Sequence, residues 1–283
     1  MNSTQPSLQT DFETIQVAPI SPTIGAEVSG FQMSGTLPPE QIAEIRRALL
    51  DWKVIFFRDQ DVELEEHVAF GRLFGELEVH PFARFVEGHP EVLAIHHGKK
   101  TKRGQNNWHS DVTWRQKPSL GSILRARIVP PVGGDTLFCD MNAAYEALDE
   151  ETQEQIDGLF AIHRFDRVFA RNLSDAERAE MLEKYPPARH PVVRTHPETG
   201  MKSIYVNSAF VSHIEDMEAS ESQRLLERLY RQASTPEFQA RLRWRLNSVA
   251  FWDNRAVQHY AAFDYHPEER RVERVTVVGD RPA

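Results

Sequence analysis

The stretch Asn107-Trp108-His109-Ser110-Asp111 places an imidazole and a carboxylate two residues apart. If residues 108–112 form a strand, the side chains of His109 and Asp111 point to the same face, because side chains alternate along a strand. The two groups can then bind one metal ion. A third ligand is still needed, and the best candidate is His259, far downstream.

Two histidines and one carboxylate form the facial triad that binds iron(II) and leaves coordination positions open for substrate chemistry. The chain contains 12 His and 42 Asp plus Glu, so an isolated His-X-Asp pair is weak evidence for a metal. His109 and Asp111 could instead be a hydrogen-bonded pair in a turn, and His259 could be an ordinary core histidine. The remaining motifs favour the metal site.

These motifs are Gly133-Gly134-Asp135-Thr136, Trp252-Asp253-Asn254-Arg255, Arg270 and Arg274. With the His-X-Asp pair, they make the chain resemble the taurine dioxygenase and 2,4-dichlorophenoxyacetate dioxygenase family of iron(II) and 2-oxoglutarate-dependent oxygenases, from about residue 15 to residue 282. The resemblance implies that Fe(II) is bound by His109, Asp111 and His259. It also implies 2-oxoglutarate and O2 as cosubstrates.

Composition describes an ordinary globular chain of 283 residues, 40% hydrophobic and 27% charged. We expect a mobile leader at 1–11 and a single domain over 12–283. The net charge of -9 argues against nucleic acid or an anionic membrane as a general partner. Cys139 alone cannot form an intrachain disulfide, and no signal-peptide pattern or membrane-length apolar run occurs. We expect a cytoplasmic homo-oligomer, either a dimer or a tetramer.

Many short strands interrupted by a few helices predict a mainly β fold with flanking helices, a double-stranded β-helix of the jelly-roll, cupin-like type. The resemblance implies the same fold. A charged insertion at about 164–189 is typical of a solvated excursion, although in the family this region often folds over the active site. Helices are predicted at 38–52, 63–74, 143–162 and 220–233. The main predicted strands are 53–58, 92–96, 121–129, 135–138, 190–194, 203–207, 241–246, 249–252 and 271–278.

A strand from Arg270 to Thr276 would place Arg270 and Arg274 on the same inward face. Buried arginines need anions, and the guanidinium group suits a carboxylate. By resemblance, Arg270 binds the distal carboxylate of 2-oxoglutarate with help from the Thr136 hydroxyl, and Arg274 approaches the anionic group of the substrate. The alternative is that one or both arginines pair with internal Asp or Glu.

The substrate is less well defined. His80 aligns with a substrate-contacting histidine of taurine dioxygenase, although simple loop packing is an equal alternative; the remaining histidines, including His97, are expected to be structural. Taurine dioxygenase has a tyrosine at the position of Ala83 and an asparagine at that of the candidate contact Gln105. Both differences weaken taurine as the substrate, and Ala83 suggests a roomier pocket. Apolar walls, which could equally be core, are expected from Val112, Phe165 and Phe210.

We therefore predict hydroxylation of a small anionic molecule, with organosulfonates and alkyl sulfates ahead of aryloxyalkanoates. The reaction would release sulfite or sulfate together with succinate and CO2. A zinc hydrolase could use the same three ligands, but it would not need Arg270 with Thr136. A non-catalytic, cupin-like 2-oxoglutarate-binding protein would be favoured if a metal ligand were missing, and none is missing.

Overall fold

The computed structural model describes residues 11–82, 84–101, 107–170 and 173–283. Residues 1–10 of the predicted leader, Ala83 and Gln105 lie outside these described residues. The helices are α1 (Pro39–Trp52), α2 (Leu64–Arg72), α3 (Met141–Glu146), α4 (Glu150–Ile156), α5 (Asp166–Phe169), α6 (Asp175–Lys184) and α7 (Ala219–Gln232). Across these described ranges, no helix is long and apolar enough to cross a membrane.

The strands carry most of the fold. They are β1 (Gln16–Pro19), β2 (Ala26–Ser29), β3 (Val54–Phe57), β4 (Phe85–Val86), β5 (His89–His97), β6 (Ser119–Ile128), β7 (Thr136–Asp140), β8 (Phe160–His163), β9 (Ala188–Pro191), β10 (Val193–Thr195), β11 (Lys202–Ile204), β12 (Val211–Ile214), β13 (Gln239–Leu242), β14 (Val249–Asp253), β15 (Val257–Ala261) and β16 (Arg270–Val278).

Two sheets enclose the site. The large sheet has the order β1-β2-β3-β14-β6-β16-β5-β4, and the small one has the order β13-β7-β15. Apolar side chains from both sheets form one buried cluster, in which Phe138 of β7 and Trp252 of β14 have ring centroids 5.7 Å apart. The sheets form an open jelly roll rather than a closed barrel, and the predicted fold class is confirmed.

Helices α1 and α2 cover the outer face of the large sheet, as the sequence predicts. α1 begins with Pro39, whose missing N–H costs nothing in the first turn, and its buried face includes Leu49 and Trp52. These side chains pack in one cluster with Phe57 of β3 and Phe70 of α2. Each fully buried Leu or Phe contributes about 1.5–3 kcal/mol, so this layer stabilises the sheet behind the site.

The predicted helix at 143–162 is wrong. The structure divides this range into α3, α4 and β8, because two local signals interrupt it. The carboxylate of Asp149 accepts a hydrogen bond from the Thr152 N–H at 2.8 Å and so starts a new helix. Gly158 then adopts φ +72°, a conformation that suits glycine and separates α4 from β8.

The charged insertion at 164–189 contains two helices, α5 and α6. Ser174 and Glu177 form a reciprocal capping box at the start of α6. Asp166 accepts hydrogen bonds from both Arg164 and Arg178. The aromatic side chains of the insertion turn inward, and Phe169 stacks on Phe82 with ring centroids 5.0 Å apart. One side of the insertion therefore packs beside the cavity described below.

Candidate metal and cosubstrate site

His109 and His259 are direct cross-strand partners. The His109 N–H donates to the His259 carbonyl at 3.1 Å, and the His259 N–H donates to the His109 carbonyl at 2.9 Å. A hydrogen-bonded antiparallel pair places its two side chains on the same face of the sheet. The imidazole ring centroids accordingly lie 4.2 Å apart. Backbone pairing thus joins two residues that are distant in sequence.

Asp111 reaches the same point by another route. The predicted strand at 108–112 is wrong beyond His109, because the chain enters a turn at Asp111 and Val112 adopts φ +46°. The Asn254 side chain holds this turn: its Oδ1 accepts from the Asp111 N–H at 2.6 Å, and its Nδ2 donates to the Asp111 carbonyl at 2.9 Å. The common placement of His109 and Asp111 therefore depends on a clamped turn rather than on strand alternation.

Both oxygens of the Asp111 carboxylate are engaged. Ser122 Oγ donates to Oδ2 at 2.9 Å, and Arg274 Nη1 donates to Oδ1 at 2.7 Å. Burial alone would raise the pKa of Asp111, but Arg274, the two histidines and Ser122 hold that pKa below its usual value. The carboxylate is therefore ionised, as a metal ligand must be.

Ligand atoms of His109, Asp111 and His259 all lie within 4.8 Å of one another. The ring of His109 has a defined tautomer, because Nδ1–H donates to the Asn107 carbonyl at 3.0 Å and leaves the Nε2 lone pair free. Burial lowers the pKa of both imidazoles, that of His259 to about 3, so both rings stay neutral. Two neutral imidazoles and one carboxylate match the donor set of a mononuclear iron(II) site.

These three side chains line a cavity of about 550 Å³ between the two sheets. β5 and β16 form one wall, and their register pairs His97 with Arg270 and Leu93 with Arg274. Because side chains alternate along each strand, these four residues face the cavity together. A cavity of this size has room for more than one small molecule.

Arg270 occupies one end of the cavity. Its guanidinium carbon lies 5.7 Å from the centre of the Trp244 ring, and burial lowers its pKa. Within the described part of the chain Arg270 forms no salt bridge, and its neighbour Asp135 is already paired with Arg241 at 2.7 Å. The Thr136 hydroxyl lines the same cavity and accepts from Trp244 Nε1 at 3.0 Å. A buried guanidinium without an acidic partner among the described residues is a site for an anion.

Arg274 and His80 also line the cavity, and Arg274 contacts the metal-ligand candidate Asp111 directly. Arg274 faces the cavity, but its Nη1 is paired with Asp111, so the alternative of an internal acidic partner is the arrangement observed. His80 also lines the cavity, and its Nδ1 accepts from the Phe82 N–H at 3.2 Å. Burial and the nearby cations Arg274 and Arg115 lower the pKa of His80 to about 3. His80 is therefore a neutral group.

Of the three residues predicted as apolar walls, two line the cavity and one does not. Val112 and Phe210 line the cavity. Phe165 does not: it packs one layer behind, stacked on Phe82 with ring centroids 5.0 Å apart. The ring that the insertion contributes to the cavity is Phe169, one helical turn later. For Phe165 the structure shows the core position that the sequence left open as the alternative.

A jelly roll that surrounds two histidines, a carboxylate and an unpaired buried arginine defines a mononuclear metal oxygenase of the 2-oxoglutarate-dependent class. The chain belongs to the taurine catabolism dioxygenase TauD, TfdA family, whose pattern matches residues 16–276. The predicted family, the class of enzyme and its use of Fe(II), 2-oxoglutarate and O2 are confirmed.

Similar proteins agree with this assignment. The chain is 36% identical to an alpha-ketoglutarate-dependent sulfate ester dioxygenase of Pseudomonas putida, over 95% of this chain and 91% of that protein. It is 33% identical to an alpha-ketoglutarate-dependent 2,4-dichlorophenoxyacetate dioxygenase of Cupriavidus pinatubonensis, over 93% and 97% of the two chains. The crystal structure of a taurine dioxygenase from Burkholderia xenovorans has 41% identity and a TM-score of 0.82, covering 96% and 91%.

Several cavity residues were missed by the sequence analysis. His97 was expected to be structural, yet it follows Leu93 and Ile95 at period two on β5 and lines the cavity with them. That alternation within the predicted strand could have revealed it. Tyr265 and Phe169 gave no comparable signal, because each reaches the cavity from outside the sheets.

Proposed function

We propose that the protein is an Fe(II) and 2-oxoglutarate-dependent dioxygenase that hydroxylates a small organosulfonate or alkyl sulfate. In this proposal His109, Asp111 and His259 hold the iron, Arg270 and Thr136 bind the distal carboxylate of 2-oxoglutarate, and further residues bind the substrate. The proposal also includes a cytoplasmic homo-oligomer, a dimer or a tetramer, in which residues 12–283 form one domain.

The supporting observation is that one cavity contains both the candidate metal ligands and the unpaired guanidinium of Arg270. A zinc hydrolase would require the first feature but not the second. A dicarboxylate could bind the metal through one end and Arg270 through the other. 2-Oxoglutarate is such a dicarboxylate.

When bound, iron(II) supplies the redox chemistry that couples decarboxylation of 2-oxoglutarate to transfer of one oxygen atom of O2 into a C–H bond. Arg270 and the Thr136 hydroxyl orient the cosubstrate through its distal carboxylate. Ser122 and Arg274 hold the carboxylate of Asp111, and Asn254 holds the turn beneath it. The apolar walls, Val112, Phe169 and Phe210, exclude water and fix the position of one C–H bond.

The proposed substrate carries its anionic group toward Arg274. Arg274 can bridge an acceptor in the cavity and Asp111, because the guanidinium has five N–H donors. The neutral imidazole of His80 can contribute one further polar contact. Hydroxylation of the carbon that bears a sulfate ester gives an unstable adduct that separates into an aldehyde and sulfate, and a sulfonate analogously gives sulfite. The sulfate ester dioxygenase of P. putida supports this choice.

An aryloxyalkanoate is the second candidate substrate. The rings of Phe169 and Phe210 both line the cavity, with centroids 6.3 Å apart, and an aromatic substrate could pack against them. The relation to the 2,4-dichlorophenoxyacetate dioxygenase supports it independently. Hydroxylation beside the ether oxygen would release a phenol instead of sulfate or sulfite.

The deciding experiment has two stages. First, Fe(II) and 2-oxoglutarate are added anaerobically, and we expect the weak visible charge-transfer band of the chelate. Second, a panel of alkyl sulfates, alkylsulfonates and aryloxyalkanoates is incubated in air, with succinate and the released anion or phenol as readouts. No band and no substrate-dependent succinate would disprove the proposal. Light scattering of the purified protein measures the oligomeric state.

A further inference from the structure

We propose that Tyr265, supported by His97, makes a third contact with the distal carboxylate of 2-oxoglutarate, beside Arg270 and Thr136. The inference rests on the proposed function, since it assumes that this carboxylate binds at Arg270. It concerns two side chains, His97 and Tyr265, that are not among the motif residues from which the site was first recognised. Tyr265 is thereby a binding residue, and His97 is a positioning residue that acts through it.

The two side chains are built into the Arg270 end of the cavity. His97 is the register partner of Arg270 across the β5–β16 pair. His97 Nδ1 and the Tyr265 hydroxyl are 2.7 Å apart, and both residues line the cavity. Tyr265 is only 5% exposed, so most of its side chain is fixed by neighbouring groups. The hydroxyl lies close enough to Arg270 for the two groups to shift each other's pKa.

The protonation states of His97 and Tyr265 determine which hydrogen bonds the two side chains can form. Burial, with the positive charge of Arg270, lowers the pKa of His97, so the ring is neutral and carries one N–H. Burial raises the pKa of Tyr265 against the opposing effect of Arg270, so the phenol keeps its proton. When Nδ1 of His97 carries the hydrogen, it donates to the phenol oxygen. The phenol O–H is then free to donate to a carboxylate, and its second lone pair can accept from Arg270.

Thr136 is arranged in the same way. Its oxygen accepts from the indole N–H of Trp244 at 3.0 Å, which leaves its own hydroxyl hydrogen free for the cavity. The indole N–H thus occupies one acceptor position of the Thr136 oxygen, and His97 does the same for Tyr265 when its Nδ1 carries the hydrogen. Arg270, Thr136 and Tyr265 together would supply enough donors for both oxygens of a carboxylate.

The turn at Gly134 is a second, independent observation, because its backbone packs closely against both Arg270 and Tyr265. Gly134 has φ +74°, and a Cβ at this position would lie 3.2 Å from Arg270 Cδ and 3.2 Å from Tyr265 Cδ1. Its N–H donates to Asp264 Oδ1 at 2.8 Å, which fixes the turn against the residue preceding Tyr265. A Cβ here would therefore be crowded against both Arg270 and Tyr265, and the positive φ favours glycine as well.

The test is a comparison of two ligands. Calorimetry on the Mn(II)-loaded protein measures the dissociation constants of 2-oxoglutarate and 2-oxopentanoate. The second ligand has the same number of carbon atoms but a methyl group in place of the distal carboxylate. Tyr265→Phe should weaken 2-oxoglutarate by about tenfold or more, because a hydrogen bond to a charged group is lost. It should leave 2-oxopentanoate within about twofold, since that ligand never makes the contact.

His97 provides a rescue series. His97→Phe should weaken 2-oxoglutarate by about threefold to tenfold, because the phenol loses the donor that orients it. His97→Asn keeps an N–H near the position of Nδ1 and should restore most of the affinity. Tyr230→Phe on α7, remote from the cavity, is the matched control and should change neither constant.

The outcomes separate this inference from the proposed function. Unchanged 2-oxoglutarate affinity in Tyr265→Phe would overturn the inference and leave the proposed function intact. Equal weakening of both ligands would overturn it too, because Tyr265 would then only support the fold of the site. A wild-type protein that binds no 2-oxoglutarate at all would refute the proposed function itself.

Discussion

Arg274 Nη1 lies 2.7 Å from Oδ1 of Asp111, so the cation expected to meet the substrate also neutralises a candidate metal ligand. Both side chains are buried, and breaking such a pair leaves an uncompensated charge that costs about 3–5 kcal/mol. The metal and substrate parts of the site are therefore joined by one ion pair. Substitutions on either side of it should affect both parts.

The first prediction concerns the metal ligands. His109→Ala and His259→Ala should each abolish substrate-dependent succinate formation and weaken Mn(II) binding strongly, while the melting temperature changes little. Asp111→Ala should do the same and also lower the melting temperature clearly, because Arg274 loses its partner. His213→Ala on β12, an exposed position, is the control. Full activity in any ligand variant would remove that residue from the site.

The second prediction concerns the cosubstrate. Arg270→Ala should weaken 2-oxoglutarate binding by about 2–5 kcal/mol, because a buried charge-assisted contact is lost. Arg271 is the matched control: it is the next residue on β16 and points to the opposite, more exposed face, where it pairs with Glu273. Arg271→Ala should leave the dissociation constant unchanged. Equal effects of the two substitutions would make Arg270 a structural residue.

The sequence predicted which residues meet at the site better than it predicted the secondary structure that brings them there. The alternation that places Arg270 and Arg274 inward was predicted, because β16 pairs with β5 in an unbroken register from Arg270 to Arg274. The burial of Glu273 on the other face, where it pairs with Arg127 and Arg271, could not be predicted in this way. Local periodicity does not report which outward face other side chains will cover.

The approach of Asp111 could not be predicted from spacing. A turn with Val112 at φ +46° is disfavoured for a β-branched residue and is held here by Asn254, 143 residues away. The strand β15, which carries His259, was also missed, because its pairing partner at His109 is equally distant in sequence. Long-range hydrogen bonds of this kind leave no local pattern.

The third prediction follows from the Asn254 clamp. Asn254→Ala removes the bonds that fix the Asp111 backbone and should weaken Mn(II) binding about tenfold or more, since misplacing a support of a ligand typically costs 10–100-fold. Asn142→Ala is the control, because Asn142 is also buried and donates to a backbone carbonyl, that of Lys202, at 2.9 Å. A loss of thermal stability in both variants with unchanged Mn(II) affinity would show that the clamp is purely structural.

The fourth prediction is a pH dependence of stability. Burial lowers the pKa of His67 and His190 to about 4, whereas the unfolded imidazole has a pKa near 6.5. Between these values the unfolded chain binds more protons, so the free energy of unfolding should fall as pH decreases from 7 to 5. The expected loss is about 2 kcal/mol per histidine at pH 5. The free energy of unfolding is measured by urea denaturation between pH 7 and pH 5 for wild type and His67→Gln. It should depend less steeply on pH in the variant.

The last prediction concerns the substrate anion. Arg274→Leu should raise the apparent substrate constant far more than the 2-oxoglutarate constant, because the net charge of -9 offers no general attraction for anions and a local cation must supply it. Uncoupled cosubstrate turnover should become a larger share of the total. A C–H bond displaced by about 1 Å costs on the order of 100-fold in the productive step, while decarboxylation can continue slowly.

The loss of the Asp111 pair must be separated from the loss of the substrate contact. We would therefore measure both constants and the ratio of succinate to product at saturating Fe(II), and determine Mn(II) affinity in parallel. A selective rise in the substrate constant at full metal occupancy identifies Arg274 as the anion anchor. Equal weakening of both ligands, or a retained 1:1 ratio of succinate to product, would limit Arg274 to supporting Asp111 and would favour an uncharged substrate.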